Sequence, residues 1–458
     1  MGFRREGATI VAVVCSILVL PLAAQAPIAI THVTVLDMTG ALARADQTVI
    51  VRGNRIEAVG KASAIKAPSG ATLVDGRGKY LIPGLWDMHV HLTVPGGETL
   101  LSVYVANGVT GVRDMNDSFP AVVNWRRRIA DGSLIGPRIV ASGPYLEGGW
   151  VPIPHIVVKT PEQGRAGVDS LAKLGVDFVK IHNRLSRATY FAIAEEVKKR
   201  GWVFAGHLPD SVTFVEAADA GQRSLEHLFG IPSVCAPEEV AALKPAHPIQ
   251  SFLGACAESD PTPGFRHLAQ VGTWVVPTLV VNYPVAILPD SVLGSDSILK
   301  YKSAALAKLE RLMMTMPKNV PPAAGAVGRR IFAKRVELIG VLHRNGVRLM
   351  TGTDAPGKNA FPGFSLHDEL AYFVQGGMTP MDALRSATYE PARYLSALDS
   401  LGTVEPGKVA DLVLLDADPE ADIKNTRRIA AVFTRGRLIG REARAALLER
   451  AEAAAKAP

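Results

Sequence analysis

The sequence predicts an α/β fold in which a (β/α)8 TIM-type barrel is inserted into a small β-sandwich built from both chain ends. Three observations predict it. Short apolar segments alternate with helical stretches through the centre, short strand pairs flank that region at both ends, and ligand-type residues recur where the central strands end. The expected division is 1–26 as a signal peptide, 27–82 with 400–445 as the sandwich, and 83–399 as the barrel.

The chain has 458 residues, 48% hydrophobic and 20% charged, enough to bury a large core. Its net charge of +7 is dispersed, and the one tight basic cluster, Arg126-Arg127-Arg128, sits in a segment, 122–129, that reads as a helix with a solvated basic face. That pattern argues against a nucleic-acid partner.

Arg4 and Arg5 precede an apolar run over 8–22 and then Ala24-Gln25-Ala26, the small-x-small pattern of a signal-peptidase site. The run is short for a membrane span. A periplasmic or secreted protein is expected, with no stable membrane partner once the signal is cleaved. Pro27 hinders cleavage after Ala26, so cleavage after Ala24 and retention as an anchor both stay open. Cys15 lies in this segment. Cys235 and Cys256 remain, and a disulfide and two buried thiols are both compatible with them.

Segments 28–36, 48–52 and 55–59 read as strands, the last two joined by a Gly53-Asn54 hairpin turn. Strand patterns return at 410–415 and 430–436. Few strands are marginal alone, so the two ends are expected to pair. Between them, a strand ending at 92 is followed by candidates at 109–114, 138–142, 177–182, 202–207, 224–227, 273–277 and 348–354. Segments 190–200, stopped by Gly201, and 333–343 read as intervening helices.

In such barrels chemistry sits at the C-terminal strand ends. The first strand ends in His89-Val-His91, and alternation along a strand puts both imidazoles on one face, where they can grip one ion. Lys180, His207, His227 and Asp354 recur on later strands. Each has an innocuous alternative: a snorkelling lysine, hydrogen-bonded core histidines, a helix cap before Ala355-Pro356. Their coincidence across five strands favours a site.

These residues carry a resemblance. Pro83-Gly-Leu-Trp-Asp-Met-His-Val-His91, Gly108-Val-Thr-Gly-Val-Arg-Asp114, Val179-Lys-Ile181, Gly206-His207, Glu226-His227, Thr351-Gly-Thr-Asp354 and the segment from Gly402 to Val413 resemble the amidohydrolase superfamily of metal-dependent hydrolases, in its imidazolonepropionase-like and prolidase-like branch. The resemblance implies two divalent metal ions, one on His89, His91 and Asp354, the other on His207 and His227, bridged by a Lys180 carbamate. Zinc suits these nitrogen and oxygen ligands, as do manganese, iron and cobalt. The mononuclear members lack the bridging lysine. The implied chemistry is attack of a metal-activated hydroxide on a carbonyl, with Asp354 as acid-base.

The substrate would be a small molecule, and a homo-oligomer is compatible with the sequence. Candidate substrate contacts are Tyr145 and His155 in the segment after the third strand, Tyr283 after the seventh, and His182 and Arg184 beyond Lys180, where an arginine suits a substrate carboxylate. The continuation His182-Asn-Arg-Leu-Ser186 departs from the glycine-rich one of peptidase members. Three readings follow: cleavage of a carbon-nitrogen bond in a small amide, lactone, ester or phosphotriester hydrolysis at the same site, and a noncatalytic metal-binding exported protein.

Overall fold

The computed structural model describes residues 26–151, 153–234, 256–257, 259–282, 298–313, 322–357 and 360–457. The export segment up to residue 25, Cys15, Cys235 and Tyr283 lie outside the described residues. No helix among the described residues is long and apolar enough to cross a membrane.

Strands from both chain ends share one eight-stranded sheet, and its seam is the antiparallel pair Tyr80–Pro83 with Leu412–Leu415, in register from Leu412↔Pro83 to Leu415↔Tyr80. Leu412–Leu415 is buried throughout because its two faces serve two cores. Leu412 and Leu414 pack with Ile30, Val49 and Phe433, whereas Val413 and Leu415 turn into the central core. The hairpin joins Arg44–Arg52 to Arg55–Lys61 with Arg52↔Arg55 as its last pair. Gly53, at φ 56°, takes the left-handed turn position.

The central region is α/β with parallel strands in two sheets. One holds Leu85–Val90, Val109–Asp114 and Arg138–Ala141. The other runs His155–Val157, Tyr145–Glu147, Val179–Ile181, Phe204–Gly206, Ser224–Glu226, Trp274–Val276, Arg348–Leu349. Backbone bonds connect the sheets at both margins: Met88 N–H donates to Thr351 O at 2.9 Å, and Asp177 N–H to Ala141 O at 3.0 Å.

Two differences from the sequence reading have local causes. The segment from Tyr145 to His155, expected as loop, contributes the strand Tyr145–Glu147, which runs straight into the glycine pair 148–149, and the start of a second, His155–Val157, which follows Pro152 and Pro154. The last strand stops at Leu349 rather than reaching Asp354. Beyond it Gly352 is pressed on its neighbours, where a Cβ would meet Val276 Cγ1 at 2.5 Å and His89 Cβ at 2.9 Å, and Asp354 turns the chain at φ 59°.

Helices Arg187–Lys199 and Pro322–Arg344 contain the two helical segments expected from the sequence, the former capped by Ser186, whose hydroxyl accepts from Thr189 N–H. Helix Phe119–Ala130 carries the arginine triplet, and its arginines pair with Asp177, Asp131 and Glu98.

Candidate metal centre

The strand Leu85–Val90 delivers His89 fully buried, and His91 follows just past its end, partly exposed. Asp354 Oδ1 lies 2.9 Å from His91 Nε2 and 3.3 Å from His89 Nε2. His89 Nδ1 is 2.8 Å from Glu226 Oε2, while its Nε2 is buried without a hydrogen-bond partner. A carboxylate only accepts, so the imidazole proton sits on Nδ1 and Nε2 presents its lone pair toward Asp354.

His207 and His227 face each other from adjacent strand ends with their Nε2 atoms 3.0 Å apart. Their outer nitrogens are engaged: His207 Nδ1 lies 2.6 Å from Asn183 Oδ1, and His227 Nδ1 lies 2.7 Å from Thr278 Oγ1. The Asn183 oxygen accepts, which leaves an inward lone pair on His207 Nε2.

Two donor groups result, with the ligand atoms in each within 4.8 Å of one another: His89 with His91 and Asp354, and His89 with His207 and His227. The sequence reading assigned His89 to the first group alone, whereas the geometry places it between the two. Buried, inward-facing nitrogen lone pairs beside a carboxylate match what a divalent transition ion requires, so the donor set fits the implied metals.

Electrostatics keeps these donors in ligand form. Burial, and then the charges around them, push His89, His207 and His227 well below the usual imidazole range, so they are neutral near pH 7. Burial would raise the Asp354 carboxyl, and the hydrogen bond from His91 Nε2 to Oδ1 at 2.9 Å works against it, holding it below the usual carboxylate range. Lys180, on Val179–Ile181 and buried, acts electrostatically on His89, His207 and His227, and burial pushes its amine down to about 8. Gly206 lets the lysine stem pass, since a Cβ there would meet Lys180 Cδ at 3.0 Å and Ile181 O at 2.2 Å.

Two of these candidate donors stand on strained backbone. His227 has φ 65° and Asp354 φ 59°, left-handed conformations that cost on the order of 1 kcal/mol each. Strain of this kind collects where a side chain must be aimed.

Of the candidate substrate contacts, Tyr145, His155 and His182 come together. The Tyr145 ring stacks on His182 at 4.5 Å and tilts against His155 at 6.3 Å, and His182 lies 4.3 Å from the His207 ring. His182 Nδ1 bonds Glu147. Arg184 is exposed beside Gly149 and makes no ion pair among the described residues.

Sequence reasoning missed the residues that orient the ligands: Glu226, Asn183 and Thr278 on the imidazoles, Glu147 on His182, and Asp87, whose carboxylate accepts from Thr353 Oγ1 at 2.6 Å and Thr353 N–H at 2.9 Å. Glu226 and Asp87 lie inside motif segments and Asn183 adjoins His182, which was the one available signal. Thr278 carried none.

Comparison with known proteins agrees with this geometry. Residues 80–439 match the Amidohydrolase family. The imidazolonepropionase of Mesorhizobium japonicum is 25% identical over 399 residues, 84% of this chain and 88% of that protein. A dihydroorotase of Trichlorobacter lovleyi is 42% identical over only 82 residues, 17% of this chain and 19% of the relative. The solved structure of a protein assigned as a prolidase, from Bifidobacterium longum, is 25% identical with a TM-score of 0.69, covering 93% of this chain and 99% of its own. Matched by the family over most of its length, the chain belongs to the amidohydrolase family of metal-dependent hydrolases acting on carbon-nitrogen bonds, in the branch similar to imidazolonepropionase and prolidase.

Proposed function

We propose that the protein is an exported binuclear hydrolase that cleaves an amide or peptide-like carbon-nitrogen bond in a small substrate. The observation that carries the reading is the pair of donor groups meeting at His89, with Lys180 among them. The parallel sheets are read as two arcs of one (β/α)8 barrel inserted in the terminal β unit, which the backbone bonds at both margins support.

His89, His91 and Asp354 would hold one ion, His207 and His227 the other, with Lys180 between. The lowered Lys180 amine favours the carbamate. The ammonium first gives up one proton, and the neutral amine then forms a bond to carbon dioxide and releases a second, exchanging a cation for one negative charge shared by two oxygens. Bound ions supply Lewis acidity that acidifies water and polarises a carbonyl. Asp354 Oδ1, at the inner edge of the cluster, is placed to take a proton from the attacking water and return it to the leaving nitrogen. The Tyr145, His155 and His182 rings line the approach, and Arg184 at the rim suits a substrate carboxylate.

Metal-loaded protein should turn over N-acyl amino acids or dipeptides faster than matched esters and lactones. Lys180→Ala should abolish that activity together with metal pairing, and a short-chain carboxylic acid should restore part of both. Full activity in Lys180→Ala without such an acid would refute the bridging role, and an ester preference would move the substrate class.

A further inference from the structure

Arg113 is fully buried on the second central strand, with every nitrogen committed. Nε donates to Met88 O at 2.6 Å, Nη1 to Ser224 Oγ and Tyr394 OH at 2.9 Å each, and Nη2 to Glu226 Oε1 at 2.9 Å and Oε2 at 3.0 Å. The guanidinium also lies over the Tyr394 ring at 5.0 Å and the Phe178 ring at 5.7 Å. A fully desolvated arginine in a barrel interior is costly unless its partners return the lost solvation. Nothing in the chemistry above uses it.

Its partners all lead to one imidazole. Met88 O belongs to the peptide that joins Met88 to His89, so Nε fixes the ligand's backbone. Glu226 receives Arg113 on both oxygens, Ser224 Oγ on Oε1 at 2.6 Å, and His89 Nδ1 on Oε2 at 2.8 Å. With donors on both oxygens the carboxylate acts as an acceptor toward the imidazole, which puts the His89 proton on Nδ1. Nε2 then has only a lone pair to offer to the two donor groups it joins.

We infer that Arg113 is a positioning residue that acts through Glu226 to fix the tautomer and aim of His89, and thereby sets metal affinity from the barrel interior. The inference rests on the reading of His89 as a ligand. Removing one charge alone would leave the other buried and unpaired, so the informative chain is the double variant Arg113→Met with Glu226→Gln, in which neither charge is stranded.

Cobalt(II) titration, read by visible absorption and by competition with a chelator, should give an affinity about 10- to 100-fold weaker in the double variant. The urea midpoint of the metal-free protein serves as the folding control. Equal cobalt affinity in the two chains would overturn the inference alone, whereas a wild-type chain that takes up no cobalt would remove the ligand reading itself. Should the variant fail to fold, nitrogen-15-edited proton spectra of metal-free wild type decide. A downfield His89 Nδ1 proton supports the relay, and a proton on Nε2 overturns it.

Discussion

Acid should loosen the helix Leu366–Gln375 through one residue, His367. The ring is buried, with Nε2 3.1 Å from Asn107 O and Nδ1 2.9 Å from Thr426 Oγ1. A carbonyl only accepts, so Nε2 donates to Asn107 O, and in the neutral ring Nδ1 is unprotonated beside the Thr426 hydroxyl, whose own proton goes to Ile423 O at 2.8 Å. Burial, then the charges of Arg427 and Arg444, push the group down to about 3 against the favourable Asn107 bond. An unfolded histidine titrates near 6.5, so the native state binds fewer protons throughout the interval between those values. The contribution is complete above about 6.5 and is lost as pH falls toward about 3, at about 1.4 kcal/mol per unit. By about pH 4.5 the loss is about 3 kcal/mol. Urea unfolding of wild type and His367→Gln at pH 8 and 4.5 checks it. Glutamine can keep the donor to Asn107 and should cost about 1 kcal/mol at pH 8. At about pH 4.5 it should be the more stable chain by about 2 kcal/mol, because the other buried histidines are common to both and cancel. A variant that loses stability as steeply as wild type would refute the reasoning.

Elemental analysis should find close to two equivalents of a divalent transition metal, with His207→Ala and His227→Ala each losing about one. His89→Ala should lose both, since His89 belongs to both donor groups; one equivalent in fully active protein would place the chain with the mononuclear members. Gly206→Ala should destabilise by about 2–4 kcal/mol, since its Cβ would lie 2.2 Å from Ile181 O at a φ of 136°. It should also lower bound metal by displacing Lys180, and an unchanged urea midpoint would contradict the packing.

The central strands were legible because short segments with β-branched and apolar residues recur between helical stretches: 109–114 was read to the residue, and the others to within a few positions except the last, which ends five residues early. The residues that cluster as candidate donors were legible because His-x-His and the later histidines recur where successive strands end. The partners that aim the ligands were not, since Thr278 or Asn183 becomes informative only when another strand brings a histidine to it. The left-handed backbone at His227 and Asp354 was not legible either: His and Asp take positive φ more readily than most residues, but nothing in a single sequence says which of them do. Tyr145–Glu147 escaped because it runs into the glycine pair 148–149 and Pro152 and Pro154 follow, so the whole segment reads as loop.

The site sits where the two parallel sheets meet, and the groups that would hold the ions are also the groups that join those sheets. Asp354 N–H donates to His89 O at 2.7 Å, His91 N–H to Ala355 O at 2.8 Å, and Val90 bridges to Ala355. His89 therefore reaches Asp354 twice, through its backbone and its side chain, and His91 reaches Asp354 by its side chain and Ala355 by its backbone. Glu226 adds a third tie, from the other sheet to His89, and Arg113 closes it back to the first sheet. A displacement of either sheet would separate donor atoms that now lie within 4.8 Å, so the geometry of the centre follows from sheet register together with the residues just past the strand ends, His227 and Asp354 among them on left-handed backbone. Loops can then vary with the substrate while the donor set stays fixed, which is the division of labour expected where one scaffold serves many hydrolases.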